Sequence, residues 1–179
     1  FGTGSHPISV ASADLNADGR PDLAVANSGG DPYYLGTVSI LLGNGDGTFG
    51  TRTDFDTGRY SVSVAIADLN RDGRPDLLVA SSGEYPDYSG SVSVLLGNGD
   101  GTFGATTHFG AGSRSVAIAD LNGDGRPDLA VANGGSNTVS VLLGNGDGTF
   151  GTKTDFGTGG GPQSVAIADL NADGRPDLA

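Results

Sequence analysis

The segment DLNADGRPD at residues 14–22 combines groups that could bind a metal ion. Oxygen-bearing side chains occupy its first, third, fifth and ninth positions. A glycine at the sixth position permits a sharp turn, and the seventh residue can offer its backbone carbonyl. Because Ca²⁺ takes about six to eight oxygen ligands from such alternating positions, the pattern predicts a calcium-binding loop.

The same acidic loop occurs four times, and the copies agree at every ligand position. The arginine of each copy is expected to contribute only its carbonyl. The predicted metal ligands are Asp14, Asn16, Asp18, Arg20 and Asp22; Asp68, Asn70, Asp72, Arg74 and Asp76; Asp120, Asn122, Asp124, Arg126 and Asp128; and Asp169, Asn171, Asp173, Arg175 and Asp177.

Charge favours a metal site over the alternative, an ordinary polar turn rich in Asp, Asn and Gly. Three carboxylates on so short a loop repel one another unless a cation offsets them. The loops hold 12 of the 21 acidic residues, so four Ca²⁺ ions would change the formal charge from −12 to −4. Mg²⁺ fits less well, because it prefers a strict octahedron and keeps its waters.

The loop is not an EF-hand, because Val25, Val79 and Val131 stand where that motif places its bidentate glutamate. The ligands leave no evident open position for catalysis, so we expect a structural ion. The single acid of each GNGDG segment, Asp46, Asp100 or Asp147, is interpreted as part of a turn.

The elements that position these loops follow from the repeat. GNGDGTFG recurs at 43–50, 97–104 and 144–151, and F-G/D-x-G begins at Phe1, Phe55, Phe109 and Phe156. The acidic loops are spaced by 54, 52 and 49 residues. Each period predicts four short strands, which in the third repeat lie at 115–121, 128–133, 138–144 and 149–156.

Four antiparallel strands in each period of about 50 residues predict an all-β fold, a β-propeller. A β-solenoid is the alternative, but its coils usually repeat at about 20–30 residues. The predicted units are blade 1 at 1–54, blade 2 at 55–108, blade 3 at 109–155 and the first half of blade 4 at 156–179. We expect one propeller domain that is part of a longer ring.

These motifs, in register along the whole chain, resemble the FG-GAP repeat, also called the VCBS-type repeat. The resemblance implies blades of a propeller that typically has seven blades. Members include integrin α-subunit heads, some secreted lectins and non-catalytic domains attached to hydrolases or polysaccharide lyases. It also implies calcium at the ligands named above. The GAP part of the family name is not matched literally, because SSG, ANS or ANG stands near that place.

Successive turns of such a sheet alternate between two ends. We call the end with the acidic loop and the GNGDG turn the first face, and the end with the second turn and the inter-blade link the second face. All five tyrosines are predicted on the second face: Tyr33, Tyr34, Tyr60, Tyr85 and Tyr88. They suit a carbohydrate or protein ligand, or else only cover loop backbone.

Composition excludes several function classes. A net charge of −12 disfavours nucleic acid and anionic membranes, and the absence of cysteine excludes disulfides and thiolate metal sites. No apolar run is long enough for a membrane span. The histidines, His6 and His108, accompany no nucleophile motif, so no catalytic residue is predicted.

We therefore expect an extracellular or cell-surface, calcium-binding module for adhesion or recognition rather than an enzyme. The alternatives are a structural or filament-forming surface protein and an accessory domain of a secreted enzyme. Self-association through open blade edges is a further expectation. Two copies would not complete a ring simply, because each lacks the third and fourth strands of its last blade.

Overall fold

The computed structural model describes residues 1–30, 33–83, 90–110 and 114–179, and these fold as an all-β chain. The predicted four-stranded antiparallel blades are confirmed, each in simple sequential order. Blade 1 contains β1 Pro7–Ala13, β2 Asp22–Asn27, β3 Thr37–Leu41 and β4 Thr53–Asp56; blade 2 contains β5 Ser61–Ala67, β6 Asp76–Ser81, β7 Ser91–Leu95 and β8 Thr107–Gly110; blade 3 contains β9 Ser115–Ala119, β10 Asp128–Asn133, β11 Thr138–Leu142 and β12 Thr154–Gly157.

The fourth blade contains its first two strands, β13 Ile167–Ala168 and β14 Asp177–Leu178. They pair in the same antiparallel register as the first two strands of the other blades. Reciprocal backbone hydrogen bonds between Ala166 and Ala179, of 2.9 and 3.0 Å, extend this pair. The chain therefore holds three complete blades and half of a fourth.

The second strand of each complete blade is the most deeply buried. Every residue of β6 and β10 is buried, since these strands are covered on both faces. Their Val, Leu and Ala side chains fit a strand between two neighbours. The fourth strands are polar and largely exposed, as expected for an outer edge.

Neighbouring blades pack face to face, and three apolar clusters lie along the chain, between blades 1 and 2, between blades 2 and 3, and between blades 3 and 4. Val10 shows what the neighbour contributes, because it is 62 % exposed on blade 1. Its equivalents Val64, Val116 and Val165 each follow another blade and are only 6–8 % exposed. Packing between blades therefore buries the inner strands.

Paired phenylalanines join successive blades at their outer ends. Phe55 of β4 meets Phe103 edge to face, with ring centroids 5.4 Å apart, and Phe109 meets Phe150 at 5.3 Å. Phe1 meets Phe49 in the same way at 5.2 Å. Each pair joins an F-G/D-x-G motif to the GTF segment of the blade that follows.

The blade limits predicted at 54/55, 108/109 and 155/156 need correction. Phe55, Phe109 and Phe156 were expected to begin new blades, but each is paired within the fourth strand of the preceding sheet. The strands of the three complete sheets span 7–56, 61–110 and 115–157. The motif marks the end of a blade because its aromatic side chain completes the outer strand.

The GNGDG turn joins the third strand to the outer part of each blade. An isolated β-bridge pairs Gly43 with Phe49, and an equivalent bridge occurs in each of the other two complete blades. Gly45 and Gly47 have φ angles of 82° and 85°, a conformation that other residues rarely adopt. This conformation explains why glycine recurs in the turn.

Replacing Gly43 with alanine should strongly destabilise the fold. A Cβ atom there would lie 2.2 Å from the Pro21 carbonyl oxygen, a backbone atom that cannot move aside. We expect a loss of at least about 2 kcal/mol in the free energy of unfolding, measured by urea denaturation. Gly50→Ala is the control, because its nearest atom, the Leu42 carbonyl oxygen, would be 3.6 Å away. Equal midpoints for the two variants would contradict the packing argument.

Candidate metal centre

Each acidic loop is folded around its own side-chain oxygens. In the first loop, the Asp14 carboxylate accepts hydrogen bonds from the amides of Asp18 and Gly19, at 3.1 and 2.8 Å. Asn16 Oδ1 accepts from the same Asp18 amide at 3.1 Å. Asp18 Oδ1 in turn accepts from the Arg20 amide at 2.9 Å. The short loop thus holds the three side chains close together.

The other three loops repeat this geometry. The fifth-position amide donates to the first and third side chains in every copy, with distances of 2.9–3.1 Å. The sixth-position glycine amide donates to the first carboxylate at 2.7–2.9 Å. The shared ligand positions therefore give the same local hydrogen bonds in every loop, including in the half blade.

The donors fit a hard cation. Each loop gathers two carboxylates and one amide oxygen, together with exposed backbone, and oxygen ligands of this kind suit Ca²⁺. Within the described residues, no three or more acidic or histidine side chains are grouped so that they could hold a metal ion by themselves. The three side chains that each loop brings together are two aspartates and one asparagine, so a group of acids alone does not describe them.

Backbone amides and nearby arginines surround the carboxylates of the loops. Hydrogen bonds from the amides of Gly125 and Gly123 lower the pKa of Asp120 below its ordinary value, outweighing the smaller effect of burial. Arg20 lies 3.9 Å from Asp18, and Arg74 and Arg126 are placed similarly. These arginines are about half exposed, so they offset the loop charge only weakly.

The ninth-position aspartate has a structural role that the sequence did not predict. Asp22 is fully buried, and its Oδ2 accepts from the Leu15 amide at 2.8 Å while its Oδ1 accepts from the Gly43 amide at 2.7 Å. It therefore ties the acidic loop to the end of the third strand. Asp76 and Asp128 make both equivalent bonds at 2.8–2.9 Å.

Burial raises the pKa of Asp76, although the amides of Gly97 and Leu69 act in the opposite direction. Asp177 bonds to the Leu170 amide at 3.0 Å. We call the ninth-position aspartate, with its hydrogen bonds from the acidic loop and from the end of the third strand, the aspartate clamp. The constant order of the ninth loop position and the GNGDG motif was the sequence signal for it, although the two are 21 residues apart in blades 1 and 2 and 16 apart in blade 3. Whether these aspartates also bind metal stays a prediction, as does the ligand role of the other residues.

The acid of the GNGDG turn closes that turn. Asp46 Oδ1 accepts from the amide and the hydroxyl of Thr48, at 2.9 and 2.6 Å, and these bonds lower the pKa of Asp46. Asp100 and Asp147 make the same bonds. The Arg20 side chain packs against Gly45, where a Cβ atom would lie 3.0 Å from Nε. The two first-face loops of a blade are therefore in contact.

On the second face, two of the predicted tyrosines come together across blades 1 and 2. The rings of Tyr34 and Tyr60 stack with centroids 4.6 Å apart and an angle of 15°. The Tyr60 amide donates to the Tyr34 carbonyl at 3.2 Å. Tyr33 and Leu35 are 64 % and 63 % exposed beside them. Tyr85 and Tyr88 lie outside the described residues.

Both stacked tyrosines have left-handed backbone, with φ angles of 45° at Tyr34 and 55° at Tyr60. Such angles are strained for bulky residues and cluster at functional sites.

Neither of the two histidines is part of the tyrosine stack. His6 is exposed, and His108 Nδ1 is 3.0 Å from the hydroxyl of Ser93, which is buried in the sheet.

His108 takes a place that carboxylates hold elsewhere in the repeat. Ser39 donates to Asp54 at 2.6 Å and Ser140 donates to Asp155 at 2.5 Å, in the sheet positions that match Ser93 and His108. The contact between Ser93 and His108 is therefore one of the polar side-chain contacts between the third and fourth strands.

In the described part of the chain, no helix is long and apolar enough to cross a bilayer.

Comparison with known proteins identifies the repeat. The model of the FG-GAP-like repeat matches residues 14–79, 75–131 and 120–179. Phosphatidylinositol-glycan-specific phospholipase D of Rattus norvegicus is 32 % identical over 151 residues, which cover 69 % of this chain and 18 % of the relative. Integrin alpha-IIb of Homo sapiens is 32 % identical over 163 residues, covering 72 % and 15 %.

A solved lectin structure from Agrocybe aegerita, described as recognising non-reducing terminal N-acetylglucosamine, aligns with a TM-score of 0.53. It is 27 % identical, and the alignment covers 82 % of this chain and 37 % of the lectin. The chain spans less than a fifth of the length of the curated relatives. The similarity therefore concerns the repeats.

The fourth position of the acidic loop offers a test of loop strain. Ala17 has a φ of 59°, whereas the third loop has Gly123 there, with a φ of 77°. Because left-handed backbone disfavours residues with a Cβ atom, Ala17→Gly should stabilise the protein by about 0.5–1 kcal/mol. Chemical denaturation would measure the change.

Gly123→Ala is the reciprocal variant, and it should destabilise the protein by a similar amount. A Cβ atom at Gly123 would meet nothing within 4 Å, so only backbone strain would act. If Ala17→Gly lowered the midpoint, or Gly123→Ala raised it, the left-handed geometry of the loop would be wrong.

Proposed function

The chain belongs to the FG-GAP-like repeat family, and from this premise we propose that it is an extracellular, calcium-stabilised β-propeller module that recognises a protein or carbohydrate ligand. The observation that carries the proposal is the gathering of oxygen donors in each acidic loop. In this proposal the first face holds the ions and the second face meets the ligand.

At each acidic loop, calcium would supply positive charge, and backbone and side-chain oxygens would coordinate it. In blade 1 the ligands would be Asp14, Asn16 and Asp18 with the Arg20 carbonyl, and Asp22 would complete the set from within the clamp. The other loops offer the same donors. The charge of the chain supports this proposal, because four Ca²⁺ ions would offset most of the charge of the 12 loop carboxylates, which otherwise repel one another.

A ligand role for the second face is supported by its exposed aromatic side chains. Tyr33, Leu35 and the Tyr34–Tyr60 stack form an apolar and aromatic surface at the junction of two blades. Tyrosine provides a large contact area with a polar end, which suits both sugars and proteins. The likeness to a lectin and to an integrin α-subunit supports recognition as the common theme.

A second candidate is a non-catalytic accessory module of a larger secreted enzyme. It is favoured by the match to phospholipase D, in which the aligned region is 18 % of the length. In both candidates this chain binds rather than catalyses, and the acidic loops have the same structural role. An adjoining catalytic sequence in the source protein would favour the second candidate.

Calcium should raise the melting temperature of the protein, and a chelator should lower it. A ligand that binds only the folded state adds about 2.7 kcal/mol per site at a hundred times its dissociation constant. Calorimetric titration should find about one ion per acidic loop, with the fourth loop weakest because Leu170 is 64 % exposed where Leu15 is 2 % exposed. Melting that is unaffected by the chelator would exclude the proposal.

Matched variants separate the loop from the turn. Asp18→Asn and Asp124→Asn should each remove one calcium site, because they neutralise a predicted ligand. Asp46→Asn is the control, since this carboxylate bonds to Thr48 within the turn. A loss of calcium binding in the control but not in the loop variants would contradict the assignment.

Tyr33→Ala should abolish or strongly weaken ligand binding without changing the melting temperature, because this side chain is 64 % exposed. The probes are a glycan array and a panel of immobilised extracellular matrix proteins, both in calcium. Tyr34→Ala and Tyr60→Ala should weaken binding too, with some loss of stability as the stack is removed.

Phe156→Ala is the control for this surface, because Phe156 is an exposed aromatic residue, at 53 %, on an outer strand. It should leave binding intact. If Tyr33→Ala and the stack variants bound the same probe as tightly as the unmodified protein, the ligand site would lie elsewhere.

A further inference from the structure

Leu15 connects the acidic loop of blade 1 to blade 2. Its side chain is only 2 % exposed, and its amide donates to Asp22 in the aspartate clamp. Its carbonyl accepts a hydrogen bond of 3.1 Å from the Gly101 amide in the GNGDG turn of blade 2. One residue inside the predicted metal loop thus contacts the clamp of its own blade and the turn of the next.

The third glycine of each GNGDG turn is the contact point. A Cβ atom at Gly101 would lie 2.9 Å from Leu42 of blade 1, and one at Gly148 would lie 2.7 Å from Leu96 of blade 2. Gly47, in the turn of blade 1, would meet nothing within 4 Å. The three φ angles are nearly equal, at 82°, 84° and 85°, so the turn is the same and only the neighbour differs.

Burial follows the same division. Gly101 and Gly148 are buried, whereas Gly47 is exposed. Leu42 and Leu96 are partly buried, whereas the equivalent Leu143 is 45 % exposed. The phenylalanine that follows the turn, Phe103 or Phe150, also pairs with a ring of the preceding blade. Three contacts from blade 1 therefore converge on the turn of blade 2, and the leucine and phenylalanine contacts recur between blade 2 and the turn of blade 3.

We propose that the GNGDGTF turn of blade 2 is a latch that fastens this blade to the acidic loop and the leucine of blade 1, so that ordering of that loop orders the turn. The turn of blade 3 is fastened to blade 2 by the leucine and phenylalanine contacts. The coupling has a direction, because the acidic loop of blade 1 contacts the turn of blade 2. A loop held in one conformation presents the Leu15 carbonyl in a fixed place. The turn of blade 2 then loses less freedom when it docks.

The part of the proposal that concerns ordering by calcium rests on the proposed function, and the packing part does not. Leu42→Ala and Leu96→Ala test the packing, with Leu143→Ala as the matched control. We expect the first two to lower the melting temperature by about 2–4 °C more than the control. Hydrogen exchange of residues 97–103 should accelerate in Leu42→Ala, and that of 144–150 in Leu96→Ala.

These two readouts decide the packing argument. Equal melting temperatures for Leu42→Ala and Leu143→Ala would overturn the latch. So would exchange that accelerates only within blade 1 when Leu42 is replaced, because the contact would then stabilise its own blade alone.

Calcium dependence tests the direction of the coupling. Hydrogen exchange of residues 97–103 should slow when calcium is added to the unmodified protein. Asp18→Asn, in the loop of blade 1, should abolish that response, while Asp124→Asn, in the loop of blade 3, should leave it intact. Hydrogen exchange of residues 144–150 should be unchanged by Asp18→Asn.

Calorimetric titration run beside the exchange experiment separates the two possible failures. If calcium binds but residues 97–103 do not respond, the coupling is overturned and the proposed calcium function stands. If no calcium binds, the proposed function and the calcium-dependent coupling both fall. The leucine comparison then decides whether the latch exists as a packing contact.

Discussion

A buried carboxylate bonded to two backbone amides organises each complete blade. Asp22 joins the start of the acidic loop, through Leu15, to the end of the third strand, through Gly43, while it begins the second strand itself. Three segments are thereby fixed by one side chain with no exposed area. Burying a carboxylate is unfavourable unless hydrogen bonds compensate, so the loop and the turn must both keep their positions around it. The first face of the blade depends on this arrangement.

The same constraint explains why identical motifs recur on the first face. Gly43 must be glycine because the Pro21 carbonyl lies where a side chain would begin, and Gly47 and its equivalents need left-handed backbone. The turn is then close enough to contact the acidic loop of its own blade and, in blade 2, the acidic loop of blade 1. A change at one of these positions would disturb several strands. On the second face, loops of different length follow strands whose register is already set.

Much of the fold could be predicted from the sequence because the repeat is strict. The strand order, the antiparallel pairing and the half blade at 167–178 followed from the positions of the acidic loops and the GNGDG turns. The blade limits were wrong because no sequence signal shows whether the F-G/D-x-G motif ends one sheet or begins the next. Only the strand pairing shows that Phe55 belongs to β4. The aspartate clamp and the Tyr34–Tyr60 stack were missed for a related reason. Both depend on contacts between segments, and position in the repeat does not show which atoms meet.

The two faces hold their residues in place by different contacts, and this difference is relevant to function. On the first face, side chains and amides are already paired with one another, so the geometry is the same in each repeat. On the second face, Tyr34 and Tyr60 keep strained backbone angles and stack across a blade junction, while Tyr33 and Leu35 remain largely exposed. Strain of this kind persists only where the surroundings hold it in place, and here the rigid blades provide that support. The blades can therefore hold exposed side chains such as Tyr33 and Leu35 in place on the second face while the sheets keep their register.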